Sequence, residues 1–398
     1  MGDFLKRMDW LGRGRTVGYL RLLALLNVAM LVFLVATSHG GVDRNGFLLG
    51  SDFISFWTTG QMLHHGGNPY DGAAHIAAQR GYYASTGGYT AFFYPPSFLP
   101  FCWPLGTLGY FPALAVWLAG TGALYWIAAR RWLTESGLKA PLWLLMLAFP
   151  AVPIVVTHGQ TSLLVAGLLG AGLLCVPTRK VLAGVLLGLA TIKPQFGLLV
   201  PIALIVTGEW RVAGTATITA LALAAFSAAV VGLESWTDWL TASARAQEAM
   251  AAGSVGYAKM ISPFAAAKLL GTSTAVAYVV QGAVTLGIAG AVAWAAWGRK
   301  FTPALAALVL AGAPLATPFA LDYDMVLLAF PLLWLAGQAL LTGWREWEKL
   351  ALTLTFIAPA FARPLAMNGG VPVMAVVVAG LFLVIARRVA TSHCEQSC

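Results

Sequence analysis

Residues able to do chemistry are sparse in this chain, and they gather at one kind of position. Asp52 stands in Ser51-Asp52-Phe53-Ile54-Ser55-Phe56-Trp57, just after the first long apolar run. Phe53, Phe56, Trp57 and Leu63 recur at near-helical spacing, as in a helix resting in a membrane interface. A carboxylate placed there meets lipid-borne molecules at the edge of water, where it can take a proton from a hydroxyl. His158, Gln160, Lys193, Gln195, Lys259, Asp322, Asp324 and Arg363 also fall at the ends or breaks of apolar runs, all on one side. An ionisable group within a membrane costs roughly 2.5 to 3.5 kcal/mol, so such groups generally line a cavity and serve a function. A cavity open to the outer leaflet is expected.

The elements that must position these groups are helices in a bilayer. The chain is 59% hydrophobic and 10% charged, with mean hydropathy +0.78. Those values fit an all-α polytopic integral membrane protein and exclude a soluble domain. About ten full spans are predicted, at 19–37, 108–129, 142–157, 162–176, 211–232, 273–297, 303–318, 323–341, 351–366 and 371–386. Two half-length runs, 181–191 and 196–207, flank Lys193-Pro194-Gln195 and read as a broken or re-entrant pair. No separate soluble domain remains, so residues 1–398 read as one membrane domain.

Charge sets the orientation. The net charge of +9 does not indicate nucleic acid, because the basic residues sit in short clusters between apolar runs and not along a continuous face. A cytoplasmic N-terminus leaves seventeen basic residues on inner loops against six on outer ones. That bias predicts both termini inside, with Gly87 and Gly137 on opposite sides of the membrane. The first apolar run is too long for a cleaved signal and reads as a signal anchor. Cys102 and Cys175 lie in apolar surroundings and Cys394 and Cys398 in an inner tail, so no disulfide is expected.

Two outer loops are long enough for structure of their own. Residues 38–93 hold the Asp52 helix, a turn at Gly66-Gly67-Asn68-Pro69-Tyr70, a second helix over 72–84, and Phe92-Phe93-Tyr94-Pro95-Pro96 just beyond. Residues 233–271 carry Trp236, Trp239, Tyr257 and Lys259, again an interfacial composition. Together these loops are expected to cover an active site.

Ser51-Asp52-Phe53, Gly66-Gly67-Asn68-Pro69-Tyr70, Tyr94-Pro95-Pro96, His158-Gly159-Gln160, Lys193-Pro194-Gln195, Lys259-Met260 and Thr317-Pro318 with Asp322-Tyr323-Asp324 follow one another in that order. The series resembles the family 87 glycosyltransferases, polytopic GT-C enzymes typified by mycobacterial polyprenyl-phosphate-mannose-dependent α-mannosyltransferases, and looks most like their proteobacterial branch. The resemblance runs from about residue 50 to 341. It implies inverting transfer of a hexose from a polyprenyl-phosphate sugar to a lipid or glycan hydroxyl. The reaction would take place on the periplasmic face of a bacterial inner membrane, with membrane lipids around it and no cofactor. It further implies that an acidic residue of the first outer loop, here Asp52, is the base.

Physical logic agrees with that assignment. Inversion needs the proton acceptor and the leaving group on opposite faces of the sugar. Growing charge on a departing phosphate calls for cations, and Lys193, Lys259 and Arg363 are the candidates. Trp57, Tyr94 and Trp103 are candidates to stack on the sugar or the lipid tail, with His158, Gln160, Gln195, Asp322 and Asp324 lining the cavity.

Plainer roles stand beside these. Asp52 suits the start of an interfacial helix, Lys193 could snorkel, and Gln160 and Gln195 could satisfy backbone groups freed at breaks. His158 is equally suited to a structural hydrogen bond. Asp322 and Asp324 straddle Tyr323 and point some 200° apart in a helix, so at most one is expected to face a given site. His64, His65 and His75 lack neighbouring acids or thiols, and no metal site is expected. Gly184 and Gly188 read as packing glycines. A lipid or glycolipid flippase, or a non-catalytic assembly protein, are the alternative functions. The first would favour midplane sites and an internal repeat, and the second would tolerate loss of Asp52.

Overall fold

The computed structural model describes residues 2–83 and 90–397, which places Gly87, and the Ala84 end of the expected second loop helix, outside the described residues. The described residues form helices and turns, without a strand beyond isolated bridges. Among the described residues, seven helices are long and apolar enough to cross a membrane: Arg13–Ala36, Tyr110–Glu135, Trp210–Val231, Thr274–Ala296, Asp322–Thr342, Glu348–Gly369 and Val373–Thr391. The protein is a polytopic helical membrane protein.

Three of the ten expected spans are shorter than the hydropathy suggested. Residues 142–157 divide into Leu142–Ala148 and Ala151–His158. The residue before a proline avoids the helical region, and Phe149 before Pro150 is extended, at ψ 110°. Ser162–Cys175 and Pro303–Gly312 are also short, and nearly every residue in them is buried. They form the centre of the bundle, walled from lipid by their neighbours. Close approach depends on glycines here: a Cβ on Gly170 would come 2.4 Å from the Phe330 ring, and one on Gly167 2.9 Å from Leu124.

The run around Lys193 is a hairpin. Lys180–Leu189 leads through a 3-10 turn to Lys193, a second 3-10 turn follows at Pro194–Gly197, and Val200–Val206 returns. Lys180, at the start, forms a 2.7 Å ion pair with Glu209, past the end. The pair therefore enters and leaves at one end of the bundle, with Lys193 near its tip. Gly184 and Gly188 face Thr215 and Thr219 of the Trp210–Val231 helix, where added Cβ atoms would fall 2.4 and 2.6 Å from threonine Cβ atoms.

The Asp52 helix differs most from expectation. Phe53–His64 does not rest half-exposed at an interface, because ten of its twelve residues are buried. The cause is backbone contact: a Cβ on Gly60 would lie 2.3 Å from the Cys102 carbonyl, and one on Gly106 2.4 Å from the Gly60 carbonyl carbon. Trp57 donates to the Leu108 carbonyl at 2.9 Å and Gln61 to that of Gly106 at 2.5 Å, closing the same seam.

The two long loops, 38–93 and 233–271, are joined. Asn68 donates to Asp238 at 2.8 Å, Arg245 to the Tyr70 carbonyl at 2.9 Å, and Trp239 to the Phe93 carbonyl at 3.1 Å. Further on, Met260 bridges to Leu321, and the Ile261 amide donates to the Ala320 carbonyl at 2.9 Å. That pairing carries Lys259 to the start of the Asp322 turn. At the opposite end of the bundle, the Trp347 amide donates to the Lys6 carbonyl and Arg299 to that of Val389, so both chain ends lie at that end.

Candidate active site

Backbone contacts fix Asp52 before its side chain does anything. The Gly50 amide donates to the Thr157 carbonyl at 3.0 Å and the Asp52 amide to the His158 carbonyl at 2.9 Å. Tyr110 donates to the carbonyls of Leu49 and Gly50, and Thr90 to that of Ser51. Gly159, with φ 65°, ends the Ala151–His158 helix in the left-handed region, and a Cβ there would fall 2.6 Å from Phe53 Cβ. Two motifs some hundred positions apart thus lie side by side.

Gln160 joins them. Its Nε2 donates to Asp52 Oδ2 at 2.9 Å, with a longer contact to the Tyr323 hydroxyl at 3.3 Å. Its Oε1 accepts from the Tyr94 hydroxyl at 2.8 Å and from the Thr161 amide at 2.9 Å. Asp52 is half-buried, and its second oxygen has only a 3.5 Å contact with the Ser51 hydroxyl. One oxygen is anchored and the other open, an arrangement suited to receiving a proton.

Lys193 reaches this network from the hairpin tip but does not offer a free charge. Its Nζ lies 2.5 Å from Asp324 Oδ1, with the side chains 6% and 3% exposed. Asp324 also accepts from the Ser162 hydroxyl at 2.6 Å and, through Oδ2, from the Leu321 amide at 3.1 Å. Lys193 further sits 5.1 Å from the ring centroids of Phe196 and Tyr323. The charge of Lys193 is thus shared with a buried carboxylate and is not free in this arrangement.

Asp322 turns the other way from the same 3-10 turn. Its Oδ1 accepts from the Tyr323 amide at 2.9 Å, and its Oδ2 lies 3.8 Å from Arg363, whose side chain is 34% exposed. His158 and the half-buried Lys259 are the other charged or titratable groups around it. His158 Nδ1 lies 2.7 Å from the Ile154 carbonyl, which can only accept, so Nδ1 carries the hydrogen and Nε2 is the free nitrogen. The polar residues expected to line one cavity therefore divide into two groups: a packed network around Gln160 and Lys193, and a more open one around Asp322 and Arg363.

Three candidates stand apart. Trp57 packs against Tyr82 and Tyr110, its NH spent on Leu108. Trp103 packs against His64, and Gln195 lies half-buried on the turn after Lys193. Sequence reasoning passed over Tyr323, Thr161 and Ser162, which fill the space between the carboxylates; adjacency to Asp322, Asp324 and Gln160 was the available signal. A further buried chain supports the Ser51 carbonyl. His75 Nδ1 accepts from Gln79, His75 faces Thr59 on its other nitrogen, Gln79 bonds both backbone groups of Thr90, and Thr90 reaches Ser51. Burial holds the His75 imidazole neutral, with its pKa lowered to about 4. Among the described residues, no three His, Cys, Asp or Glu side chains cluster as metal ligands.

No curated protein and no solved structure matches the chain. The family model described as glycosyltransferase family 87 matches residues 92–318. The matched stretch includes Tyr94, His158, Gln160, Lys193 and Lys259, whereas Asp52, Asp322, Asp324 and Arg363 lie beyond its limits. The match covers more than half of a chain built as a helical membrane bundle, so the protein belongs to glycosyltransferase family 87 and is a membrane glycosyltransferase.

Proposed function

We propose that the enzyme transfers a hexose, with inversion, from a polyprenyl-phosphate sugar to a hydroxyl of a lipid or glycan, at the outer face of a bacterial inner membrane. Asp52 takes the acceptor proton as the acceptor oxygen bonds to the anomeric carbon. The bond from that carbon to the phosphate oxygen breaks, and the electron pair leaves with the polyprenyl phosphate. Arg363 and Lys259 face the departing phosphate, and Gln160 holds Asp52 in line.

The observation that carries this reading is the Asp52 carboxylate, with one oxygen tied to Gln160 and the other without a close partner. Support also comes from the exposed part of Arg363 beside Asp322, and from the distribution of basic residues, which favours cytoplasmic termini. The test is transfer by purified enzyme from synthetic polyprenyl-phosphate hexoses to lipid acceptors. Transfer from these donors is expected, with none from a nucleotide sugar. Efficient use of a nucleotide sugar without a polyprenyl intermediate overturns the donor assignment.

A further inference from the structure

At the end of the bundle opposite Asp52, the chain builds a second polar pocket with no part in the transfer chemistry. The Asp322–Thr342 segment separates the two ends, and its 21 residues amount to roughly 30 Å of helix. The pocket has a volume of about 480 Å³ and is lined by Arg7, Asp9, Trp344, Arg345, Glu346 and Arg387. These residues come from three places: the end of the Gly2–Arg7 helix and the segment just after it, the turn after Thr342, and the later part of the final helix.

The charges in it are unevenly matched. Arg388, next in sequence, is fully engaged, with Nε and Nη2 each 2.6 Å from a different oxygen of Glu348. Asp9 already has Lys349 at 3.8 Å. Among the described residues, the guanidinium groups of Arg7 and Arg387 have neither a hydrogen bond nor an ion pair. Arg345 uses one nitrogen on Thr391. Three arginines thus line the recess against two carboxylates, Asp9 and Glu346, neither of which is bonded to Arg7 or Arg387, and guanidinium forks left unpaired beside a recess suit a phosphate group.

What surrounds the recess distinguishes a lipid phosphate from a free one. Phe4 and Leu5 on the N-terminal helix, and Leu340 and Leu341 at the end of the helix that stops at Thr342, are all exposed large apolar residues. Trp344 itself lines the pocket, and tryptophan favours the headgroup level. The N-terminal segment is tied down by the Trp347 amide on the Lys6 carbonyl and by Lys349 on that of Met8, which fixes Arg7 at the rim.

We propose that this pocket binds the phosphate of an anionic phospholipid, whose acyl chains lie along Phe4, Leu340 and Leu341. The site is independent of the donor and acceptor at the other end.

The experiment uses the full-length protein in nanodiscs of equal phosphatidylglycerol and phosphatidylcholine. Lipids retained after extraction into detergent are counted by native mass spectrometry. Wild-type protein is expected to keep phosphatidylglycerol in preference. Arg7→Gln combined with Arg387→Gln is expected to lower that retention roughly ten-fold, and Arg130→Gln, an exposed basic residue elsewhere at the same end, to leave it unchanged. Both replaced side chains are exposed, and an unaltered gel-filtration profile establishes that the variant is folded. Equal retention of the two lipids by wild type, or undiminished retention by the double variant, overturns the proposal. Displacement of phosphatidylglycerol by millimolar inorganic phosphate assigns the pocket to a soluble anion and likewise overturns it.

Discussion

Gln160 meets Asp52 with its nitrogen and not its oxygen. Its Oε1 is occupied by the Tyr94 hydroxyl and the Thr161 amide, both donors, so Nε2 is left to donate to Asp52 Oδ2 at 2.9 Å. Gln160→Glu would set a second carboxylate against the first. Repulsion then favours the protonated form of one of the two, and the acidic limb of the kcat/KM profile should move to higher pH by about one unit or more. A pH–rate profile superimposable on wild type would show that Gln160 does not hold the base.

Asp52→Asn keeps size and hydrogen bonding but removes the basic oxygen. Turnover should fall by roughly 10² to 10⁴, the contribution typical of a positioned general base, with donor affinity little changed. Asp71→Asn provides the comparison in the same loop. Asp71 caps the Gly72–Tyr82 helix by accepting from the Ala73 and Ala74 amides, and asparagine caps a helix about as well. Near-normal turnover of Asp52→Asn eliminates the proposed base.

Lys193 and Asp324 should behave as a structural pair. Removing one partner strands a buried charge, at a cost of about 3 to 5 kcal/mol, so Lys193→Met should markedly lower the thermal midpoint in detergent. Lys193→Met with Asp324→Leu should recover much of it. If Lys193→Met is as stable as wild type and only donor KM rises, the residue serves the phosphate after all.

Lys259 and Arg363 are assigned the departing phosphate. Lys259→Gln or Arg363→Gln should reduce kcat/KM for the polyprenyl-phosphate donor by roughly 10², in line with the loss of one transition-state donor. Arg130→Gln, at the other end of the bundle, should not change it. Single-turnover rates equal to wild type in both variants would remove them from the chemistry.

His75 gives the loop that holds Asp52 a pH dependence. It is 1% exposed, and its folded pKa of about 4 lies below the ordinary 6.5. Between those values the unfolded chain binds a proton that the folded one does not, so stability declines as pH drops from 6.5 toward 4. The loss amounts to about 3 kcal/mol and levels off below. His75→Gln should flatten that part of the thermal-stability profile, and an unchanged slope would assign it to other groups.

The break at Lys193-Pro194-Gln195 was legible because an ionisable residue and a proline interrupt an apolar run, and both features act locally. The packing role of Gly184 and Gly188 was legible for the same reason. Burial of the Asp52 helix was not, since interfacial and buried aromatic helices share one spacing; contact between Gly60 and Gly106, 46 positions apart, distinguishes them. Nor does any local pattern pair Lys193 with Asp324 or turn Asp322 toward Arg363. The sequence brought the polar residues to one end of the bundle, and long-range packing decided which were spent on one another.

The ion pair between Lys180 and Glu209 has a consequence for biogenesis. Because the hairpin it closes returns to its own side, residues 180–209 add no crossing, and the helices after it keep the parity that brings both chain ends together. Half-helices of ten and seven residues are too short to be held in a bilayer singly. They must leave the insertion machinery as one unit, with Lys180–Leu189 packed on Ser162–Cys175, which is made before it. The order of synthesis thus supplies the wall before the finger that packs against it.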